Sequence, residues 1–220
     1  RAQFLVYNFC LLPNAAIGDW LKEYHQVGWQ LQSRLLAVWF GTRSRRDVRG
    51  GRLVFLIECL LNQNARDRGA AERPAVTREV VDLLSDAGIG MVQIPCPEIA
   101  CLGFDRRRAP GKTIRQALES ASAVNCCQRL AVATADQMQC YVDQGFEVLA
   151  VLGGNEKSPG CAVHAETLDE TRLTGDSGVF MRELAKELTR RKLRIAFRGM
   201  RDADPSLLRA DLEWLRDRIA

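Results

Sequence analysis

From Gly51 onward, short apolar runs alternate with segments of helical period. Leu53 to Ile57 reads as a buried strand. Pro74 and Thr77 lead into a helix whose apolar face carries Val76, Val80, Val81, Leu83 and Leu84, and Gly88 stops it. Ile89 to Ile94 is the second strand. A long helical region follows, roughly Lys112 to Gln144, with a break expected near Ala133–Ala135 and an end at Gly145. Glu147 to Leu152 is the third strand. Gly175, Asp176 and Ser177 open a helix carrying Val179, Phe180, Leu184 and Leu188, Leu193 to Phe197 is the fourth strand, and a last helix starts near Pro205. Such alternation predicts right-handed βαβ units and an α/β domain over residues 51–220. Its form is a three-layer parallel-sheet, Rossmann-like architecture. Strand order is left open by this pattern.

Residues 1–50 differ. Eight of the fifteen aromatic residues lie before Gly50, and Ile17, Trp20, Leu21, Tyr24, Val27, Leu31, Leu35 and Val38 recur at helical spacing. This region reads as an N-terminal helical extension that covers the core or makes a homo-oligomer contact. Gly50-Gly51, after an arginine-rich run, marks the junction.

Composition narrows the function classes. No run approaches the roughly 18 uncharged apolar residues of a membrane helix. The Phe4–Leu12 stretch is interrupted by Asn8, followed by Pro13, and has no signal-peptide layout. A soluble, cytoplasmic protein with no membrane partner is the expectation. The net charge of +4 is too small to imply nucleic-acid binding by itself. Eight cysteines in a chain of 220 residues, without a secretory signal, read as reduced thiols, some of them metal ligands.

The predicted topology gives those thiols meaning. In a parallel sheet, the loops leaving the C-terminal strand ends gather at one edge, where ligands bind. Cys59, Cys96 and Cys161 each fall just past a predicted strand. Buried apolar packing, the usual setting of an unpaired cysteine, does not predict that coincidence. Cys126, Cys127 and Cys140 sit among Ala, Val, Leu and Met, where small apolar packing is the plainer reading. Cys101, in the same loop as Cys96, stands between ligand and packing residue. His164 is either a donor behind the ligands or a loop residue. Three ligands suit an iron–sulfur cluster with one open iron better than a closed four-ligand zinc site.

Three segments carry a family resemblance: Cys59-Leu60-Leu61-Asn62-Gln63-Asn64, Gln93-Ile94-Pro95-Cys96-Pro97-Glu98 and Lys157-Ser158-Pro159-Gly160-Cys161. In this order they resemble the thiouracil desulfidase family and its related desulfidases. The resemblance spans about residues 52 to 200. It implies a [4Fe-4S] cluster held by Cys59, Cys96 and Cys161, and removal of sulfur from a thiolated pyrimidine to give the oxo base and sulfide. Two departures stand out. Residues 1–50 have no counterpart in the family, and Gly160 stands where its third motif commonly has serine.

Chemistry then suggests roles. A soft thiocarbonyl sulfur suits an open iron, which polarises the C=S bond for attack by water. Glu98 is the candidate proton-transfer group, and Ser158 a catalytic hydrogen-bond donor to substrate or cluster. Asn62 and Asn64 either read the pyrimidine edge or shape their loop, and Glu156 and Arg198 are weaker candidates. Arg106, Arg107, Arg108 and Lys112 follow the Cys96 loop. Arg107 and Arg108 are the expected contacts of a substrate phosphate, which points to a thiolated nucleotide, with RNA the less favoured form. The competing expectations are an iron–sulfur hydrolase or lyase for another small substrate, and a non-catalytic metal-binding interaction module.

Overall fold

Five consecutive buried side chains, Leu53 to Ile57, make the first strand, β1 (Arg52–Ile57), a central one. Only a strand covered on both faces buries every side chain in succession. The computed structural model describes residues 47–220. The expected N-terminal helix therefore lies outside the described residues. β1 is flanked by β2 (Gly90–Ile94) and β3 (Glu147–Gly153), Phe55 lying opposite Val92 on one side and Val151 on the other. Numbered along the chain, β4 (Ala165–Glu166) and β5 (Asp169–Leu173) form a separate antiparallel hairpin. The last strand, β6 (Ala196–Gly199), joins the outer side of β3. The main sheet is thus parallel, in the order β2-β1-β3-β6.

Among the described residues, eight helical segments surround these strands: α1 (Glu58–Leu61), a 3-10 turn (Gln63–Ala65), α2 (Arg78–Asp86), α3 (Pro97–Leu102), α4 (Ile114–Leu118), α5 (Ala121–Asp143), α6 (Val179–Arg190) and α7 (Pro205–Ile219). α5 packs along α6, and α2 touches α7. The chain moves outward from β1 to β2 in one direction and from β3 to β6 in the other. The order of connection therefore reverses between β1 and β3, and the crevice above that reversal is where open α/β sheets bind ligands. None of the described helices is long and apolar enough to cross a membrane.

Local signals explain most element limits. Gly88 and Gly145 take positive φ, of 67° and 80°, and end α2 and α5. Asp204 caps α7, its carboxylate accepting from the Ser206 and Leu207 amides, with Pro205 in the first turn. The expected break near Ala133–Ala135 is absent, because α5 runs unbroken through it. The break falls at Glu119 and Ser120, where the Ser120 side chain accepts from the Ala123 amide and starts a new helix. α6 begins at Val179 and not at Gly175, since the Ser177 hydroxyl is occupied by the His164 backbone. β6 starts three residues after the expected Leu193, following the turn in which Lys192 takes φ of 60°.

Two cysteines also differ from expectation. Cys101 in α3 and Cys126 in α5 are bonded to each other, with Cα atoms 5.7 Å apart. Neither is a reduced packing residue or a metal ligand. Cys127 is buried, as expected, and Cys140 half-buried.

Gly178 is the point where α6 meets the β3 loop. A Cβ there would overlap the Gly160 carbonyl carbon and oxygen and the Cys161 nitrogen, all of them backbone atoms. Gly178→Ala should therefore destabilise the protein by about 1–3 kcal/mol in urea unfolding. Gly175→Ala, where a Cβ meets nothing within 4 Å, should change stability by less than about 1 kcal/mol. Equal midpoints for the two variants would contradict this placement.

Candidate functional site

β1 passes directly into α1, which places Cys59 one residue past its N-terminus. After β2, Pro95 keeps the chain extended and Cys96 becomes the N-cap of α3. The two segments are tied by Glu58, whose carboxylate accepts from the Cys96 amide at 2.9 Å. After β3, the chain turns through Gly153–Cys161 and returns alongside itself, the Gly154 amide donating to the Cys161 carbonyl at 2.9 Å. The Phe180 amide in turn donates to the Gly160 carbonyl at 3.1 Å, which pins this loop to the start of α6.

Glycines set how closely these loops meet. A Cβ on Gly160 would stand 2.6 Å from Pro97 Cγ, so this residue must be small for the Cys96 and Cys161 loops to interlock. A Cβ on Gly154 would stand 2.9 Å from Cys161 Sγ and 3.1 Å from both Ser158 Oγ and Ile57 Cδ1. The bare glycine therefore lets the Cys161 sulfur and the Ser158 hydroxyl pack directly against its backbone.

Cys59, Cys96 and Cys161 all remain thiols, and their charges act on one another. Burial pushes Cys59 up to about 11, opposed by the Arg66 guanidinium beside it. Burial also raises Cys96, while the Ile99 and Glu98 amides at the start of α3 favour its thiolate. Cys161 is raised as well, by burial first and then by the charges of Cys59, Glu98 and Cys96, and a hydrogen bond from Ser158 opposes this.

Glu98 belongs to the same group. Its carboxyl is buried, which raises its pKa, and the Arg106 guanidinium and Gly160 amide only partly offset this. Arg106 is itself buried, with φ of 45°, and donates to the carbonyls of Ala65 and Phe104 and, at 3.4 Å, to Glu98. It is an internal brace and no contact for substrate phosphate. Arg107, Arg108 and Lys112 are exposed. Asn62 Oδ1 accepts from the Asn64 amide and from Asn64 Nδ2, the loop-shaping arrangement. His164 Nε2 lies 3.0 Å from the Glu156 carbonyl. Glu156 pairs with Arg201, and Arg198 pairs with Asp211 while lying over Trp214. Both weaker candidates are thus engaged in ion pairs.

Sequence reasoning missed the group that holds the edge together. Asp202, just past β6, has no exposed side-chain surface. Its carboxylate accepts two bonds from Arg66 Nη2, at 2.7 and 2.8 Å. It also accepts from Asn155 at 2.9 Å, Thr77 at 2.9 Å and Gln63 at 3.0 Å. Gln63 Nε2 reaches the Cys59 carbonyl as well, at 3.1 Å. One carboxylate so joins the segments after β1, β3 and β6. Only the run Gln63, Arg66, Asn155 and Asp202, polar residues past strand ends, hinted at it.

Among the described residues, no three His, Cys, Asp or Glu side chains converge on a single ion position. A four-iron cluster is broader than one ion, and each cysteine binds a different iron. Three unpaired thiols from three loops at the same end of a parallel sheet fit the donor set of such a group. A cavity of about 540 Å³, lined by Arg115, Glu156, Lys157 and His164 among others, borders the Cys161 loop.

The chain matches no family model, and no solved structure matches it. Over 141 residues it is 26% identical to an uncharacterized protein of Methanocaldococcus jannaschii, covering 64% of this chain and 80% of that protein.

Asp202→Ala would leave Arg66 charged and buried without its partner. It should cost about 3–5 kcal/mol in urea unfolding. Burial is the largest single influence on the Asp202 carboxyl and pushes it up, but Arg66, Asn155 and Thr77 outweigh it and hold it below the ordinary value. Its contribution is therefore present above about pH 4 and lost as the pH falls through the lowered folded-state value. Wild type should lose stability over that range, and Asp202→Asn should lose less. Parallel pH profiles would count against the network.

Proposed function

We propose that this chain is an iron–sulfur-dependent desulfidase that converts a thiolated pyrimidine and water into the oxo base and hydrogen sulfide. One observation carries the reading: three unpaired cysteines, one from each loop after β1, β2 and β3, lie at the same end of the parallel sheet with a buried carboxyl, Glu98, two residues past one of them. The resemblance of the same three loops to the thiouracil desulfidase family supports it. Cys59, Cys96 and Cys161 would hold a [4Fe-4S] cluster, whose open iron supplies a soft Lewis acid for the thiocarbonyl sulfur.

The protein's own groups do the rest. Glu98 takes a proton from water attacking the ring carbon and passes it to the sulfur, then carries the proton of the new hydroxyl to the departing sulfur as the carbonyl forms, so that the thiocarbonyl and one water become a carbonyl and hydrogen sulfide. Its buried, raised carboxyl is suited to carrying that proton. Ser158 hydrogen-bonds the Cys161 sulfur and orients that ligand. Asn62 and Asn64 shape the loop beside the pyrimidine edge. Arg107 and Arg108 offer guanidinium groups to a phosphate, which favours a thiolated nucleotide, with RNA the less favoured form, over the free base. A cytoplasmic setting, with its reducing thiol pool, would preserve the three ligands.

Anaerobically prepared protein should bind about four irons. Cys59→Ala, Cys96→Ala and Cys161→Ala should each lose them, whereas Cys140→Ala should keep them. Full iron content in Cys96→Ala would remove the basis of the reading. Glu98→Gln should retain the cluster yet release sulfide from thiolated pyrimidines about 10²-fold more slowly. Wild-type rates in that variant would assign proton transfer elsewhere.

Substrate choice can be read separately, by comparing 2- and 4-thiouracil with their nucleosides and 5′-monophosphates. A gain that requires the phosphate, shrinks with salt and disappears in Arg107→Ala or Arg108→Ala is expected. Equal efficiency for base and nucleotide would leave these arginines as ordinary surface.

A further inference from the structure

A second group of sulfurs lies apart from the three ligands. Cys101, in the last turn of α3, is bonded to Cys126 in α5, and the Cys127 sulfur stands only 3.8 Å from that of Cys101. Cys101 and Cys126 are half-buried, whereas Cys127 has no exposed surface. The bond thus joins two half-buried residues and has a third sulfur close to one end of it. α3 has only six residues, too few to persist through its own hydrogen bonds. It begins at Cys96 and carries Glu98, and it packs against α5. A covalent link between its last turn and α5 therefore holds the whole of this short helix in place.

We propose that Cys101, Cys126 and Cys127 form a reversible thiol–disulfide site, closed by a small disulfide and opened by a small dithiol, that clamps the helix bearing Cys96 and Glu98 onto α5. In opening, a thiolate of the dithiol attacks the Cys126 sulfur. The bond to Cys101 breaks, its electron pair stays on the Cys101 sulfur, and that sulfur takes a proton from solvent. The second thiol of the reagent then attacks the mixed disulfide, releasing Cys126 as a thiol and the reagent as a cyclic disulfide. In closing, the two protein thiols are oxidised to one bond and the small disulfide is reduced to two thiols. Cys127, next to Cys101, is placed to take over the bond as an alternative partner. Its burial pushes the thiol up to about 11 and keeps it a slow competitor. The consequence for Cys96 and Glu98 rests on the desulfidase reading, but the exchange chemistry does not.

The test uses the full chain, equilibrated anaerobically over a series of ratios of oxidised to reduced dithiothreitol, then acid-quenched and alkylated. Peptide masses should show a linked Cys101–Cys126 pair at the oxidising end. At the reducing end the linked peptide should be lost and both cysteines should carry an alkyl group, with the same midpoint approached from either side. Amide hydrogen exchange over residues 97–118 should be faster in the reduced protein, and Cys101→Ser should match the reduced wild type at every ratio. Alkylation of both cysteines throughout, or a bond that opens only on unfolding, would overturn the reversible site. Identical exchange over residues 97–118 in the two states would overturn the clamp. These readouts follow thiols and amides and not turnover, so their failure leaves the desulfidase reading standing, and its failure leaves them standing.

Discussion

A carboxylate removed from water must find its hydrogen bonds inside the protein, and Asp202, just past β6, finds them in two other segments. Arg66, Thr77 and Gln63 come from the chain after β1, and Asn155 comes from the loop after β3. A shift of any one segment would strand a buried charge or dipole, at a cost of several kcal/mol for the charge. The C-terminal edge of the sheet is therefore braced before any ligand arrives. Because Gln63 also holds the Cys59 carbonyl, the brace fixes the backbone of a candidate ligand.

The other two candidate ligands, Cys96 and Cys161, are fixed by close approach more than by charge. Gly160 lets the Cys161 loop lie against Pro97, and Gly178 lets α6 start against the same loop. Glu58 holds the Cys96 amide. What results is a set of thiols and one carboxyl that disfavour each other's ionised forms. Buried ionisable groups gathered at one crevice are a common mark of functional sites. The position of the site above the reversal between β1 and β3 points the same way.

Much of this was legible in the sequence, for a physical reason. Central parallel strands are apolar at every position, so Leu53–Ile57 and the run from Glu147 stand out. Once the sheet is parallel, residues just past strand ends must share an edge, which singled out Cys59, Cys96 and Cys161. Other features depend on partners far along the chain. Asp202 meets Arg66 across 136 positions, and Cys101 meets Cys126 only because α3 packs on α5. The hairpin of β4 and β5 has half-buried, mostly polar residues and so lacks an apolar signature. The break before α5 was misplaced because a single serine cap decides it, while Ala133–Ala135 suits a helix interior.

The central claim is that the three cysteines serve a hydrolytic removal of sulfur. Protein prepared without oxygen and carrying its full complement of iron can be incubated with thiolated pyrimidines and their nucleotides in water enriched in heavy oxygen. The account predicts sulfide and oxo base in equal amounts, with one heavy oxygen in each product base and no added reductant. Iron-replete protein that releases no sulfide from any of these substrates, or a product oxygen that does not come from water, would contradict it.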